Sequence, residues 1–235
     1  MRDVELTRRR FLRCLSAFLA ALGIPSVLRA FTEEDFPVRT VEKDTFRFHP
    51  SSGMVRWTGG KGEEPYVLTL DGLVERAVTL SYAELRALKQ HSQTSDLHCV
   101  EGWSVSDVQW DGFRFDEIVK KVKPKTAAEF AVFHALGETV GKPAGQGHYM
   151  ESFPVSDLLD RHKECVLALD MGGKPLSHDH GAPLRVVAPY SLGYKNIKYV
   201  TRIEFSREAR PGWWTLANPI YPVNAPVPAG RLRKK

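Results

Sequence analysis

Apolar and polar positions alternate along Tyr66-Val-Leu-Thr-Leu-Asp-Gly72, the period-two pattern of a half-buried strand ending in a turn signal. Phe130–His134 is a continuous apolar run and reads as a buried strand. Further strands are predicted at Cys165–Asp170, ending at Gly172 and Gly173, at Leu184–Ala188 and at Tyr199–Phe205. Helices are short. Ser81-Tyr-Ala-Glu84 forms a capping box, in which Ser81 accepts from the Glu84 N–H while Glu84 reaches back. It opens a helix through about Lys89, with Leu85 and Leu88 on one face. A second helix is expected from about Phe115 to Val122, stopping before Pro124, and a third at Ser156–Asp160. Between them, Asp111-Gly112 inside Val108–Arg114 predicts a hairpin turn.

The intervening stretches are polar and broken. Residues 32–64 carry Pro37, Pro50, Gly53, Gly59, Gly60 and Gly62 and read as a lead-in with short strands. Residues 137–148 hold four glycines and read as a loop, and the proline-rich tail from Pro211 is expected to wrap as an ordered extension. Strands dominate and no βαβ alternation appears. The fold class is therefore α+β, with mixed, mainly-β sheets and short helices rather than a doubly wound sheet. No internal repeat is visible.

Composition narrows the class. The 235 residues allow one large domain or two small ones, and 43% hydrophobic with 26% charged residues argues against disorder. No uncharged apolar run reaches the roughly 18 residues of a membrane span. The three cysteines form no CxxC pair and no CxxCH, which argues against a zinc ribbon, a thioredoxin motif, a disulfide scaffold and covalently attached haem. The net charge of +5 is uneven: six basic and two acidic residues in the first 30 account for +4, leaving +1 over the other 205. A near-neutral body offers no electrostatic footprint for nucleic acid.

That basic N-terminus reads as an address. Thr7-Arg8-Arg9-Arg10-Phe11-Leu12-Arg13 followed by a moderately apolar stretch has the layout of an export signal. At every position it resembles the twin-arginine signal, which is read by a receptor. A basic amphipathic helix on a membrane surface is the alternative, but the charges cluster at one end rather than along a face. The expected organisation is a signal over 1–30, cleaved near Ala30 although Leu28 is a poor residue for the −3 place, and one domain over 31–235. The twin-arginine route carries folded proteins, often already loaded with a cofactor.

Three segments carry chemistry. In Asp96-Leu-His-Cys-Val-Glu-Gly-Trp-Ser104, a cysteine follows an apolar strand start. A thiolate is a strong ligand for a soft or high-valent metal, although a lone cysteine is more often an inert core residue. His178-Asp-His-Gly-Ala-Pro-Leu-Arg185 and Gly193-Tyr-Lys-Asn-Ile-Lys198 combine an arginine, lysines and turn glycines, a set that suits a phosphate. A solvated basic turn is the plain alternative. The His178-x-His180 spacing also raises zinc, without a further close ligand to support it.

Taken together, these segments strongly resemble the sulfite oxidase-type molybdopterin-dependent oxidoreductases. The resemblance spans about residues 64–206 and rests on Asp71-Gly-Leu-Val-Glu75, His98-Cys-Val-Glu-Gly-Trp103, Tyr149-Met-Glu-Ser-Phe-Pro154, Gly181-Ala-Pro-Leu-Arg185 and Lys195-Asn-Ile-Lys198. It implies a molybdenum–molybdopterin cofactor with one pyranopterin and no haem. It further implies Cys99 as the metal's thiolate ligand, His180 on the pterin and Arg185 on the phosphate side. Asn196, Ile197 and Lys198 fall in the following loop, which binds through backbone and lysine, and Tyr149 lies near the metal. Cys14 and Cys165 have no such role. Two contacts find no match: the polar residue after the central strand falls near Ala135, and the N-terminal pterin contacts fall somewhere within 32–50.

Departures from the pattern shape the expected function. Where sulfite oxidases proper place arginines soon after the metal cysteine, this chain has Glu101 in a Cys-Val-Glu-x-Trp pattern, closer to the periplasmic methionine-sulfoxide reductase branch. A carboxylate there disfavours a sulfite dianion. The expectation is an exported, periplasmic enzyme that couples oxygen-atom transfer to two-electron transfer, on an S-oxide or a related small substrate or protein side chain. Sulfite oxidation and a cofactor-free scaffold of the same fold are the alternatives. With neither a dimerisation nor a haem domain recognised, a monomer is expected. Its partners would be a separate electron carrier (a membrane haem protein or soluble cytochrome) and the twin-arginine translocase, with no nucleic acid.

Overall fold

A computed structural model describes residues 40–232, so the proposed signal at 1–30 and its cleavage site lie outside the described residues. The lead-in forms a small antiparallel sheet of β1 (Phe46–His49), β2 (Met54–Trp57) and β3 (Glu63–Pro65). Two five-stranded sheets follow. One has the order β5-β4-β13-β8-β9, built from β4 (Val67–Gly72), β5 (Val78–Ser81), β8 (Phe130–Ala135), β9 (Met150–Pro154) and β13 (Val200–Ser206). The other has the order β11-β10-β7-β6, from β6 (Gln90–His98), β7 (Ser104–Phe113), β10 (Val166–Met171) and β11 (Lys174–Pro175), with β12 (Arg185–Val187) also pairing β10. The β13–β4 pair is parallel and the others are antiparallel.

Helices α1 (Tyr82–Arg86), α2 (Phe115–Val122), α3 (Val155–Leu159) and α4 (Trp213–Ala217) are all short. Helix α2 buries Phe115, Ile118 and Val122, spaced three and four residues apart on one stripe. Phe115 packs against Phe133 of β8 and Phe205 of β13, with ring centroids 6.1 and 5.8 Å apart. This aromatic cluster fixes the sheet in which the β12–β13 connection ends, and that connection carries most of the site. The capping box forms as read: the Glu84 N–H donates to Ser81 Oγ, and Glu84 accepts from the Ser81 N–H at 2.7 Å. Helix α1 ends at Arg86, short of Lys89, and Leu88 is buried just beyond it.

The hairpin expected at Asp111-Gly112 is absent, because β7 runs straight through those residues as a central strand. Gly112 faces Ala168 of β10 on one side and His91 of β6 on the other. A Cβ there would collide with the Leu167 carbonyl, so the glycine permits close strand approach instead of a turn. The tail pairs with the segment before Gly193: Ser191 bridges Pro226, the Leu192 N–H donates to the Ala225 carbonyl, and the Val227 N–H donates to the Tyr190 carbonyl.

Candidate functional site

Cys99 sits in the five-residue turn between β6 and β7, after the last register pair His98–Ser104. Two backbone bonds close the turn, from the Cys99 N–H to the Trp103 carbonyl at 2.9 Å and from the Gly102 N–H to the Cys99 carbonyl at 3.2 Å. Gly102 has φ +96°, a conformation that side chains rarely adopt. The Cys99 thiol is half-buried and points to the Glu101 carboxylate, with Sγ 3.9 Å from Oε2. Trp103 Nε1 donates to that same oxygen at 3.0 Å and holds the carboxylate beside the sulfur.

A second turn lies against the first. At Gly193, a Cβ would come within 3.4 Å of the His98 carbonyl oxygen and 3.7 Å of the Cys99 Cα. Gly193–Lys195 is a single 3-10 turn, and it leads into the cradle residues 196–198. One loop therefore joins the cysteine to the basic cluster.

Arg185, the first residue of β12, is buried, and its guanidinium meets only carbonyls: Nη1 donates to His180 O at 3.0 Å and Nη2 reaches Asn196 O at 3.5 Å. Its Nε has no hydrogen-bond partner, and its Cζ lies 4.9 Å from the Trp110 ring centroid. Burial pushes Arg185 down to about 10. Lys198 is also buried; its Nζ donates to the Asp179 carbonyl at 3.2 Å, and burial pushes it down to about 8. Arg185 lies close enough to add to that depression. Gly181, at φ +102°, leaves the space through which the Lys198 side chain passes. Among the described residues neither cation has a carboxylate within ion-pair distance. Lys198 Nζ also donates to the Tyr199 phenol oxygen at 3.4 Å. Two buried cations served by uncharged oxygens are left with an electrostatic deficit that a bound phosphate would meet. The donor set thus fits the pterin phosphate, and the half-buried thiol beside it fits a metal ligand.

The other expected residues are placed as follows. His180 is buried and gives its carbonyl to Arg185. The Asn196 side chain is engaged by the protein, accepting from the Ala188 N–H at 2.6 Å and donating toward Ser191 O and Leu192 O. The N–H groups of Asn196 and Ile197 donate within the turn, to Gly193 O and Lys195 O. Tyr149 is buried, and its phenol donates to the Tyr194 carbonyl at 2.6 Å. Burial raises its pKa well above the usual phenol range. It thereby braces the turn that touches Cys99. Ala135 offers only backbone, its N–H donating to the Tyr149 carbonyl. The lead-in reaches the cradle as well: Phe46 packs edge-on against His178 and Tyr199, and Asp44 lies 3.5 Å from His178.

One alternative, zinc, finds no further support. No group of three or more His, Cys, Asp or Glu able to hold a metal occurs among the described residues, so the zinc reading of His178 and His180 is set aside. Cys165 is buried, and burial pushes its thiol up to about 12, as for an inert core cysteine. No helix among the described residues is long and apolar enough to cross a membrane.

Some residues escaped the sequence reading. Lys195 and Glu151 form an ion pair at 2.5 Å, 2% and 0% exposed, under the 193–195 turn. Lys195 also donates to the Ser152 carbonyl at 2.9 Å. Burial pushes Glu151 up to about 7 even beside that ammonium. Both residues stand within quoted motifs, but nothing local distinguishes a buried pair from two surface charges. Arg231, in the tail, donates to the Cys99 carbonyl at 2.9 Å and to the Trp103 carbonyl at 2.6 Å.

Comparison with known proteins agrees with this geometry. The family described as oxidoreductase molybdopterin binding domain matches residues 51–214. YuiH, an uncharacterized oxidoreductase of Bacillus subtilis (strain 168), is 31% identical over 160 residues, 65% of this chain and 75% of its own. MsrP, the catalytic subunit of a protein-methionine-sulfoxide reductase of Ralstonia nicotianae (strain ATCC BAA-1114 / GMI1000), is 27% identical over 210 residues, 86% of this chain. In structure the chain resembles one from the sulfane dehydrogenase SoxCD of Paracoccus pantotrophus, with TM-score 0.53 and 16% identity over 81% of this chain, a likeness of fold. The chain spans 62% of MsrP and 59% of that SoxCD chain. The matched span contains the thiol turn and the paired buried cations, and with them the chain belongs to the sulfite oxidase-type molybdopterin-dependent oxidoreductases.

Proposed function

We propose that this enzyme transfers an oxygen atom with two electrons, in the direction of S-oxide reduction, on a small S-oxide or an oxidised protein side chain. The observation that carries the reading is the Glu101 carboxylate fixed 3.9 Å from the Cys99 sulfur. A negative charge held there repels a sulfite dianion and tolerates a neutral sulfoxide. The relative named as a protein-methionine-sulfoxide reductase catalytic subunit supports the same substrate class. A bound molybdenum–pterin would supply the two-electron oxygen-transfer chemistry. Cys99 would give the metal its thiolate, and Arg185 with Lys198 would hold the phosphate. His180 would lie along the pterin, and Asn196 with Ile197 would shape the loop between them. Tyr149 would keep that loop against Cys99 through the Tyr194 carbonyl.

The residues 7–13 motif supports export in the folded state by the twin-arginine route to the periplasm. Electrons would come from a separate membrane or soluble haem partner, delivered to a monomer. The test is protein made in a molybdopterin-competent host and analysed for metal and pterin. One molybdenum and one pterin per chain, with S-oxide-dependent oxidation of a reduced dye and little turnover of sulfite, is the expected result. Sulfite oxidation without S-oxide reduction would favour the sulfite reading, and protein purified without molybdenum would leave the scaffold reading.

A further inference from the structure

We infer that Arg231 is a positioning residue for the metal's thiolate, so that the C-terminal tail forms part of the active site; this rests on Cys99 being the metal ligand. Two backbone bonds close the turn 99–103 from within. Arg231 adds three from outside: Nη1 to the Cys99 carbonyl at 2.9 Å, Nη2 to the Trp103 carbonyl at 2.6 Å and Nη2 to Ser104 Oγ at 3.0 Å. One planar guanidinium thus spans both ends of the turn, a geometry that a lysine ammonium cannot reproduce. Ser104 Oγ also meets His98 Nδ1 at 2.8 Å, so the residue before Cys99 is tied to the same group.

The guanidinium is carried by an anchored segment. Ala225 and Val227 are buried, and they bracket the bridge from Pro226 to Ser191. The Arg231 N–H donates to the Pro228 carbonyl at 2.8 Å, in the single 3-10 turn Ala229–Arg231 that ends the strap. The segment the tail pairs with, Tyr190–Leu192, runs directly into the Gly193 turn that touches Cys99. The tail therefore grips both turns of the site, one by backbone pairing and one through Arg231. Charge-assisted bonds to carbonyls are the stronger class of hydrogen bond, and they place a fixed positive charge on the peptide beside the thiolate. Losing them loosens the turn and changes the electron density on the sulfur.

The test compares molybdenum-loaded wild type, Arg231→Lys, Arg231→Ala and Cys99→Ser. In Arg231→Ala the amides of Cys99 and Gly102 are expected to exchange hydrogen about tenfold faster or more, while β8 amides keep their protection. The thiolate-to-metal absorption band is expected to shift and broaden, with Arg231→Lys between the two. Wild-type exchange and an unmoved band in Arg231→Ala would overturn the inference. Cys99→Ser should show one fewer sulfur neighbour to molybdenum by X-ray absorption. A full sulfur count there would overturn the reading of Cys99, while the exchange rates would still report on whether Arg231 closes the turn.

Discussion

Arg185 and Lys198 show at the scale of a residue how a buried charge records a missing counter-charge. Each donates to uncharged oxygens, which accept hydrogen bonds without neutralising charge. Truncating one partner of a buried charged hydrogen bond costs on the order of 2–5 kcal/mol in binding, roughly a 30- to 1000-fold loss of affinity. Arg185→Ala is thus expected to purify mostly without pterin, and Arg185→Lys to retain an intermediate amount, as read by molybdenum and pterin per chain. Lys198 makes a second prediction, for protein made without the cofactor. Its folded pKa, about 8, lies below the 10.5 of a free lysine. The unfolded chain therefore holds more protons between those values, and stability rises with pH across that window, by up to about 3 kcal/mol. Denaturation curves from pH 8 to 10.5 should show the rise, and Lys198→Met should flatten it.

Among the elements, β7 shows why an Asp-Gly pair is an incomplete signal. The dipeptide suits a tight hairpin, but it equally suits a central strand where a neighbour approaches closely. Gly112 lies between β6 and β10, with the Leu167 carbonyl where a Cβ would go. Gly112→Ala should lower stability by about 1–3 kcal/mol, the usual cost of overpacking. Urea denaturation of this variant checks the close approach, and unchanged stability would overturn it. Helix α2 is the opposite case. Its apolar stripe, its acidic first turn at Asp116 and Glu117, its basic last turn and the proline beyond Lys123 all agree, and its observed bounds are those expected.

For the whole molecule, the basic charge concentrated in the first 30 residues beside a near-neutral remainder is what the proposed export signal requires. Arg8→Lys together with Arg9→Lys is expected to block export while leaving cofactor loading intact. Fractionation should then find loaded enzyme inside the cell, and full export of the double variant would show that the motif has another use. The body itself joins two five-stranded sheets through the connections that build the site. The Cys99 turn belongs to one sheet, and the Gly193 turn leads from β12 of that sheet into β13 of the other.

The amino-acid sequence alone determined the short-range features. Strand alternation, the Ser81 capping box and the α2 stripe depend on residues within one or two turns of each other, and so does the motif set around Cys99, Arg185 and Lys198. Their order along the chain was enough to name the family and the fold class. Tertiary structure decided whatever depends on residues brought together from distant positions. The use of Gly112 depends on β10, more than 50 residues later, and the role of Tyr149 on a carbonyl at Tyr194. The Glu151–Lys195 pair and the grip of Arg231 on Cys99 have the same origin. A charged side chain looks alike in sequence whether it faces water or a buried partner, because desolvation and pairing are set by the packing around it.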